Sequence, residues 1–262
     1  MRHLIACLAL AAAPVFAADL QGVDVVFLGE QHDNPHHHAR QAELTADLSP
    51  KALVFEMLTA EQATQVTPDL IGDEAALEAA LGWNDSGWPD FSMYYPIFAA
   101  APQARVYGAA VPRDAARAAM SDVVAAFDGD AAAFGLDQPL PEDQQAAREE
   151  LQQAAHCNAL PPEMLPMMVS VQRLRDAELA RQAKLAYQAT GGPVVVITGN
   201  GHAREDWGAP VALAAAAPDL TIAALGQGED DRDPEGRFDT VAHSPSIERE
   251  DPCEAFLKSR GN

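Results

Sequence analysis

The chain has 262 residues, with 17 Lys and Arg against 39 Asp and Glu, and carries a formal net charge of −22. So acidic a surface repels nucleic acid and anionic lipid, which sets polyanion binding aside; an anionic ligand would need a local basic cluster. No apolar run reaches the roughly 20 residues that a membrane span requires.

Residues 1–17 read as an export signal. Arg2 and His3 open it, an apolar stretch from Leu4 to Ala13 follows, and Val15-Phe16-Ala17 supplies small residues for cleavage after Ala17. The expected location is therefore periplasmic or secreted. Leu4-Ile5-Ala6-Cys7 looks like a lipoprotein attachment box, but cleavage before Cys7 leaves almost no apolar region upstream, so a lipid tether is set aside. Losing the signal removes one basic residue and brings the net charge to −23.

The remaining residues, 18–262, read as one α/β domain. A buried strand is predicted over Val23 to Leu28, because the run VDVVFL is β-branched and nearly uncharged. It ends in the box Gly29-Glu30-Gln31-His32. A helix over His36 to Leu48 follows Asn34 and Pro35; His36, His37 and His38 open it, and consecutive helical positions diverge by about 100°, so at most one of them, His37 by preference, faces a shared pocket. A second strand, Ala52 to Phe55, ends on Glu56. Residues 59–101 form a helical insertion with Trp83, Trp88, Phe91, Tyr94, Tyr95 and Phe98 close together.

A third strand spans Arg105 to Gly108, and the long interval after it reads as helix: Pro112 to Phe127, Pro141 to His156 and Glu163 to Ala189. That is more chain than one crossover needs, and marks a second helical insertion around 112–165. The fourth strand, Val194 to Thr198, runs into a second box, Gly199-Asn200-Gly201-His202. Thr221 to Leu225 is a fifth strand, and Phe238 to Ala242 an edge or antiparallel one. Strands alternating with helices predict a mostly parallel central sheet flanked by helices, with an inserted helical subdomain. Without Cys7, Cys157 and Cys253 form an even pair in an oxidising compartment. A disulfide is expected, with two free thiols as the alternative; closing a 96-residue loop, it would stabilise by up to about 4.7 kcal/mol in the chain-entropy account.

In open parallel sheets ligands bind outside the carboxyl ends of the strands, where both boxes fall. Glu30, His32, Glu56 and His202 are therefore the candidate site, with unrelated loop residues as the alternative. Two imidazoles and carboxylates converging on one point suit a divalent transition metal such as Mn, Co or Zn, and equally suit general acid and base work without metal. A serine nucleophile is not visible: G-x-S-x-G is missing, and Ser86 and Ser92 lack an elbow context. On the long helix, Arg175 is either paired with Asp176 or Glu178 or serves as an anion clamp; Arg204, just past the second box, is the other clamp candidate.

The strings GEQHDNPHHHARQAEL, ALVFEM, VQRLRDAELA and GNGHAREDWGAP together resemble the ChaN-type haem-binding uptake proteins of the Tiki superfamily, which also includes erythromycin esterase-like enzymes and metal-dependent peptidases. The resemblance is scattered over Val23 to Cys253. It implies haem binding linked to iron uptake, with a tyrosine on the iron near a homodimer contact and polar groups on the propionates. The segment WNDSGWPDFSMYYPIF is similar to the family's aromatic stretch, which makes Tyr94 or Tyr95 the expected iron ligand, with Tyr95 preferred, and Arg175 or Arg204 the expected propionate partners. Hydrolytic relatives imply the alternative, a metal-dependent peptidase or esterase-like hydrolase using Glu30, His32, Glu56 and His202. A third class is a structural or inhibitory binding protein with no cofactor.

Overall fold

The computed structural model describes residues 20–251 with Cys253 and Glu254; the export signal, its cleavage position and Cys7 lie outside the described residues. Six strands form one sheet: β1 Val25–Glu30, β2 Ala52–Phe55, β3 Arg105–Gly108, β4 Val194–Gly199, β5 Ile222–Glu229 and β6 Thr240–Ser244. They lie in the order β3-β2-β4-β1-β5-β6, and every pairing is parallel. The antiparallel option for the last strand is thereby corrected. Segment 230–239 carries the chain back along the sheet so that Leu225 pairs with Thr240, and Asp239 ties this return to the Ala224 amide.

Alternating side chains of the central strands feed two separate cores, as the two-residue period of a strand buried on both faces requires. Val26, Leu28, Leu53, Phe55, Val195 and Ile197 face one layer, and Val25, Phe27, Val54, Val194 and Val196 face the other. The first layer holds α1 Pro35–Leu48 and, from the aromatic insertion, α3 Pro68–Ile71, α4 Glu74–Leu81 and α5 Phe91–Ala100, while α2 Ala60–Ala63 lies beside β3. Phe98 of α5 stacks on Phe55 with ring centroids 4.3 Å apart. Each such ring, fully buried, contributes about 1.5–3 kcal/mol.

The second layer holds α6 Arg113–Ala119, α7 Val123–Ala126, α8 Glu142–Ala155, the long α9 Leu165–Thr190, and then α10 Asn200–Ala203 and α11 Ala209–Ala216. The single helix expected over 112–127 is two, because the Asp122 carboxylate accepts from the Ala125 amide at 3.0 Å and starts a new N-terminus. At the other end of the first box, Asn34 caps α1 by accepting from the His36 amide, with Pro35 at the first helical position. Among the described residues, no helix is long and apolar enough to cross a membrane.

Candidate functional site

The strands carrying the two boxes are direct neighbours, in a register that sets Gly29 beside Thr198 and Glu30 beside Gly199. The helix after β1 goes to one face of the sheet and the helices after β4 go to the other. The crevice that opens where such connections part is where ligands bind in parallel sheets.

The glycines interlock the boxes rather than turn the chain. A Cβ on Gly29 would strike Asn200 of the second box, and one on Gly199 would come within 2.9 Å of His32 Nε2 of the first. The space so saved lets Asn200 donate to the Gln227 carbonyl at 2.8 Å and accept its amide at 2.9 Å, which ties β4 to β5.

Glu30 is the buried hub of one half of the site. Its Oε1 accepts from His32 Nδ1 at 2.7 Å and from the Tyr94 hydroxyl at 2.9 Å, and its Oε2 lies 3.3 Å from His38 Nδ1. Burial pushes this carboxyl up, but the hydrogen bonds and charges of His32 and His38 more than offset it and hold it at about 2. For His32, burial is outweighed by the bond to Glu30 and the charges of Glu56, Glu30 and Asp33, which bring it to about 9. Its side chain is 34% exposed and meets Trp88 edge-on, ring centroids 4.9 Å apart.

His202 is the hub of the other half. Its Nδ1 lies 2.6 Å from Asp176 Oδ1, on α9, and its Nε2 lies 3.8 Å from Glu56 Oε1. Burial opposes charge on His202, yet the Glu56 and Asp176 carboxylates raise it on balance. Asp176 is also raised, chiefly by burial, which His202 and Arg148 offset only in part. The close pair holds one proton between Nδ1 and Oδ1. Glu56 Oε2 accepts from the Thr198 hydroxyl at 2.6 Å and the Gly199 amide at 2.8 Å; burial raises its pKa, and the charges of His202 and His32 with these bonds bring it below the usual range. Read in order, Arg148, Asp176, His202, Glu56, His32 and Glu30 form a line of alternating charge across the strand ends.

Replacing Asp176 with Asn is therefore expected to lower the pKa of His202. An NMR titration of the imidazole resonances would record this, and an unchanged midpoint would contradict the pairing.

The four groups expected to converge on one metal do not do so. Among the described residues, no group of three or more His, Cys, Asp or Glu is disposed to hold a metal ion. The reason is geometric: Glu30 and His32 face each other, His202 faces Asp176, and one oxygen of Glu56 is occupied by Thr198 and Gly199.

Other expected residues fall elsewhere. His37 is buried, accepts the Gln31 amide at Nδ1 and faces the Gly228 carbonyl at 3.3 Å, so it braces the turn as a neutral ring; burial lowers its pKa. His38, not His37, reaches Glu30. Tyr94 is buried with its hydroxyl donated to Glu30, and burial with the Glu30 charge pushes its pKa up, opposing tyrosinate. Tyr95 is half-buried and donates to the Ile71 carbonyl at 2.8 Å. Arg204 is buried, bidentate on Asp206, and 3.7 Å from the Trp207 ring centroid, so its charge is spent. Arg175 makes no ion pair or hydrogen bond among the described residues, since Asp176 turns to His202 and Glu178 to Arg181; its charge is felt at His202. Cys157 and Cys253 are bonded, with Cα atoms 5.3 Å apart.

Two cavities flank the second box. One of about 260 Å³ is lined by His202, Asp176, Gln172, Val169, Leu151 and Trp207. The other, of about 550 Å³, includes Gln31, Asn200, Gly201, Gln227, Glu229 and Arg249 in its wall. Asp176 was hidden in the sequence among charged neighbours; its signal is a carboxylate set in the buried stripe of Val169, Leu174, Ala177 and Ala180.

Residues 16–213 match the family profile described as haem-binding uptake, Tiki superfamily, ChaN. The chain belongs to the ChaN family. The ChaN protein of Campylobacter jejuni, whose structure is described as cofacial haem binding, superposes with a TM-score of 0.62 at 16% identity, over 83% of this chain and 86% of that one. The type III effector HopBA1 matches at a TM-score of 0.45 and 14% identity, over 86% and 88% of the two chains. No curated protein matches the chain. The fold shared with the Campylobacter ChaN is the parallel sheet and helical layers described above.

Proposed function

We propose that this chain is an exported, periplasmic haem-binding protein of iron uptake, with His32 Nε2 facing the iron. Family membership supports the ligand, and the state of His32 carries the choice of residue. Its Nδ1 is fixed on Glu30, its Nε2 has no hydrogen bond among the described residues, and the ring is partly open beside Trp88. An imidazole oriented by a carboxylate at its other nitrogen is the usual arrangement of a metal-ligating histidine. Bound haem would supply a ferric centre, and His32, protonated at both ring nitrogens in its absence, would hold it by giving up the Nε2 proton. Arg175, which makes no ion pair or hydrogen bond among the described residues and whose charge is felt at His202, suits a propionate. A haem held on an open face leaves its far side bare, and a second copy of the chain would cover it, in keeping with the cofacial binding described for the Campylobacter protein. The Cys157–Cys253 bond fits an oxidising compartment.

A hemin titration followed by Soret absorbance tests this. A saturable shift is expected in the wild type, Tyr94→Phe and Tyr95→Phe proteins, with affinity weakened by roughly 100-fold in His32→Ala. No shift in the wild type would sink haem binding. Loss in Tyr95→Phe with His32→Ala intact would move the iron to Tyr95.

A further inference from the structure

Beyond β6 the chain leaves the sheet edge and runs back over the strand ends. Asn34 Nδ2 donates to the Pro245 carbonyl at 3.1 Å, and the Ser246 amide donates to Asp230 Oδ1 at 3.0 Å. Arg249 then grips two carboxylates at once: Nε and Nη2 reach Asp33 at 2.6 and 2.7 Å, and Nη1 and Nη2 reach Glu229 at 2.7 and 2.6 Å. Asp33 follows the first box and Glu229 ends β5, so this clasp ties together the ends of β1 and β5, beside the crevice between β1 and β4. A few residues later Cys253 is bonded to Cys157, just past the end of α8.

No residue of 245–251 is buried, so the segment lacks the apolar contacts that hold the elements beneath it. Past the two hydrogen bonds at Pro245 and Ser246, it is kept down by one electrostatic clasp and one covalent latch. Arg249 is part of the wall of the 550 Å³ cavity, together with Gln31 next to His32 and Gly201 next to His202. Both cysteines are half-buried, within reach of a small dithiol.

We propose that residues 245–251, together with Cys253, form a redox-latched strap: with Cys157–Cys253 intact it closes one wall of the strand-end cavity, and reduction by a dithiol releases it and opens that wall. In the step, a thiolate of the dithiol attacks one sulfur of the cystine and the Cys157–Cys253 bond breaks as a mixed disulfide forms. The second thiol of the reductant then displaces the remaining cysteine. The dithiol leaves as its disulfide, and its two electrons and two protons end on Cys157 and Cys253. Once the latch is open, the local concentration of Arg249 at Asp33 and Glu229 falls and the clasp opens more often.

The inference that ligand passes this wall rests on the haem reading above; the motion of the strap does not. Two forms of the full protein test it against the oxidised wild type: Cys157→Ser/Cys253→Ser, and wild type reduced with dithiothreitol, alkylated and freed of reagent. Tryptic cleavage after Arg249 is expected to speed up by roughly tenfold or more in both, because cleavage follows the open population. Far-UV circular dichroism should be unchanged. Equal cleavage rates would overturn the proposal, and so would loss of sheet and helix signal, which would make the crosslink a general staple. In the second arm, stopped-flow hemin association is expected to accelerate in both opened forms; faster cleavage with an unchanged association rate would overturn gating. If hemin binds none of the proteins, the haem reading falls, and the cleavage arm still decides whether the strap is latched.

Discussion

Replacing Glu30 with alanine is expected to destabilise the fold by about 3–5 kcal/mol, the range for breaking a buried charge pair by removing one partner. Glu30 is 2% exposed and serves His32, His38 and Tyr94 together. Its loss leaves the Nδ1 atoms of two imidazoles without their carboxylate, a buried tyrosyl hydroxyl without its acceptor, and a void at the end of β1. For a chain of this size that corresponds to a fall in Tm of roughly 10 °C. Glu30→Gln keeps an acceptor for Tyr94 and most of the volume, so it should lose less. Thermal unfolding near pH 6 would measure both. A fall of under about 3 °C in the alanine variant would mean that the cluster adds little beyond its packing.

The same hub gives the haem-free protein a stability plateau in pH. Glu30 is depressed from 4.5 to about 2, so its contribution is present above about 4.5 and is lost as pH falls toward 2. That displacement corresponds to about 3 kcal/mol at the plateau. His32 is raised from 6.5 to about 9, so its contribution is present below about 6.5 and is lost as pH rises through 9. Much of this is the same interaction seen from its other partner, and the partial exposure of His32 screens it, so the alkaline limb should be the shallower. Urea midpoints near pH 3, 5.5 and 9 would trace the profile, and Glu30→Gln should flatten the acid limb. An acid limb of equal depth in that variant would assign it to other carboxylates.

The strands were legible because buried parallel strands are written as short β-branched runs. The expected ends of β2 and β3 coincide with the observed ones, and β1 and β4 differ by a residue or two at their ends. The family was legible from strings at strand ends and on α9. Three things were not, each for want of information across the chain. Which strand lies beside which is not a local property, so the in-register contact of the boxes and the mutual fit of Gly29 with Asn200 and Gly199 with His32 could not be foreseen. Asp176 looked like the partner of an adjacent arginine because helix neighbours are visible in sequence, while His202, 26 positions away, is not. Tyr94 and Tyr95 look equivalent side by side, yet one helical step sends one hydroxyl to Glu30 and the other to the Ile71 carbonyl.

The sheet order also sets a rule for how the protein is made. β4 lies between β1 and β2, although the chain reaches it only after α1 to α9. Until Val194–Gly199 has left the ribosome, the two N-terminal strands have no partner between them, and each presents a bare, apolar edge of the kind that seeds aggregation. Pairings this distant in sequence close slowly. The crevice cannot exist in a partial chain, since each box supplies the floor for the other. A nascent chain stopped short of Val194 therefore holds every partner of Glu30 but lacks the Thr198, Gly199 and His202 partners of Glu56 and Asp176, and must be kept from self-association until synthesis of the fourth strand is finished.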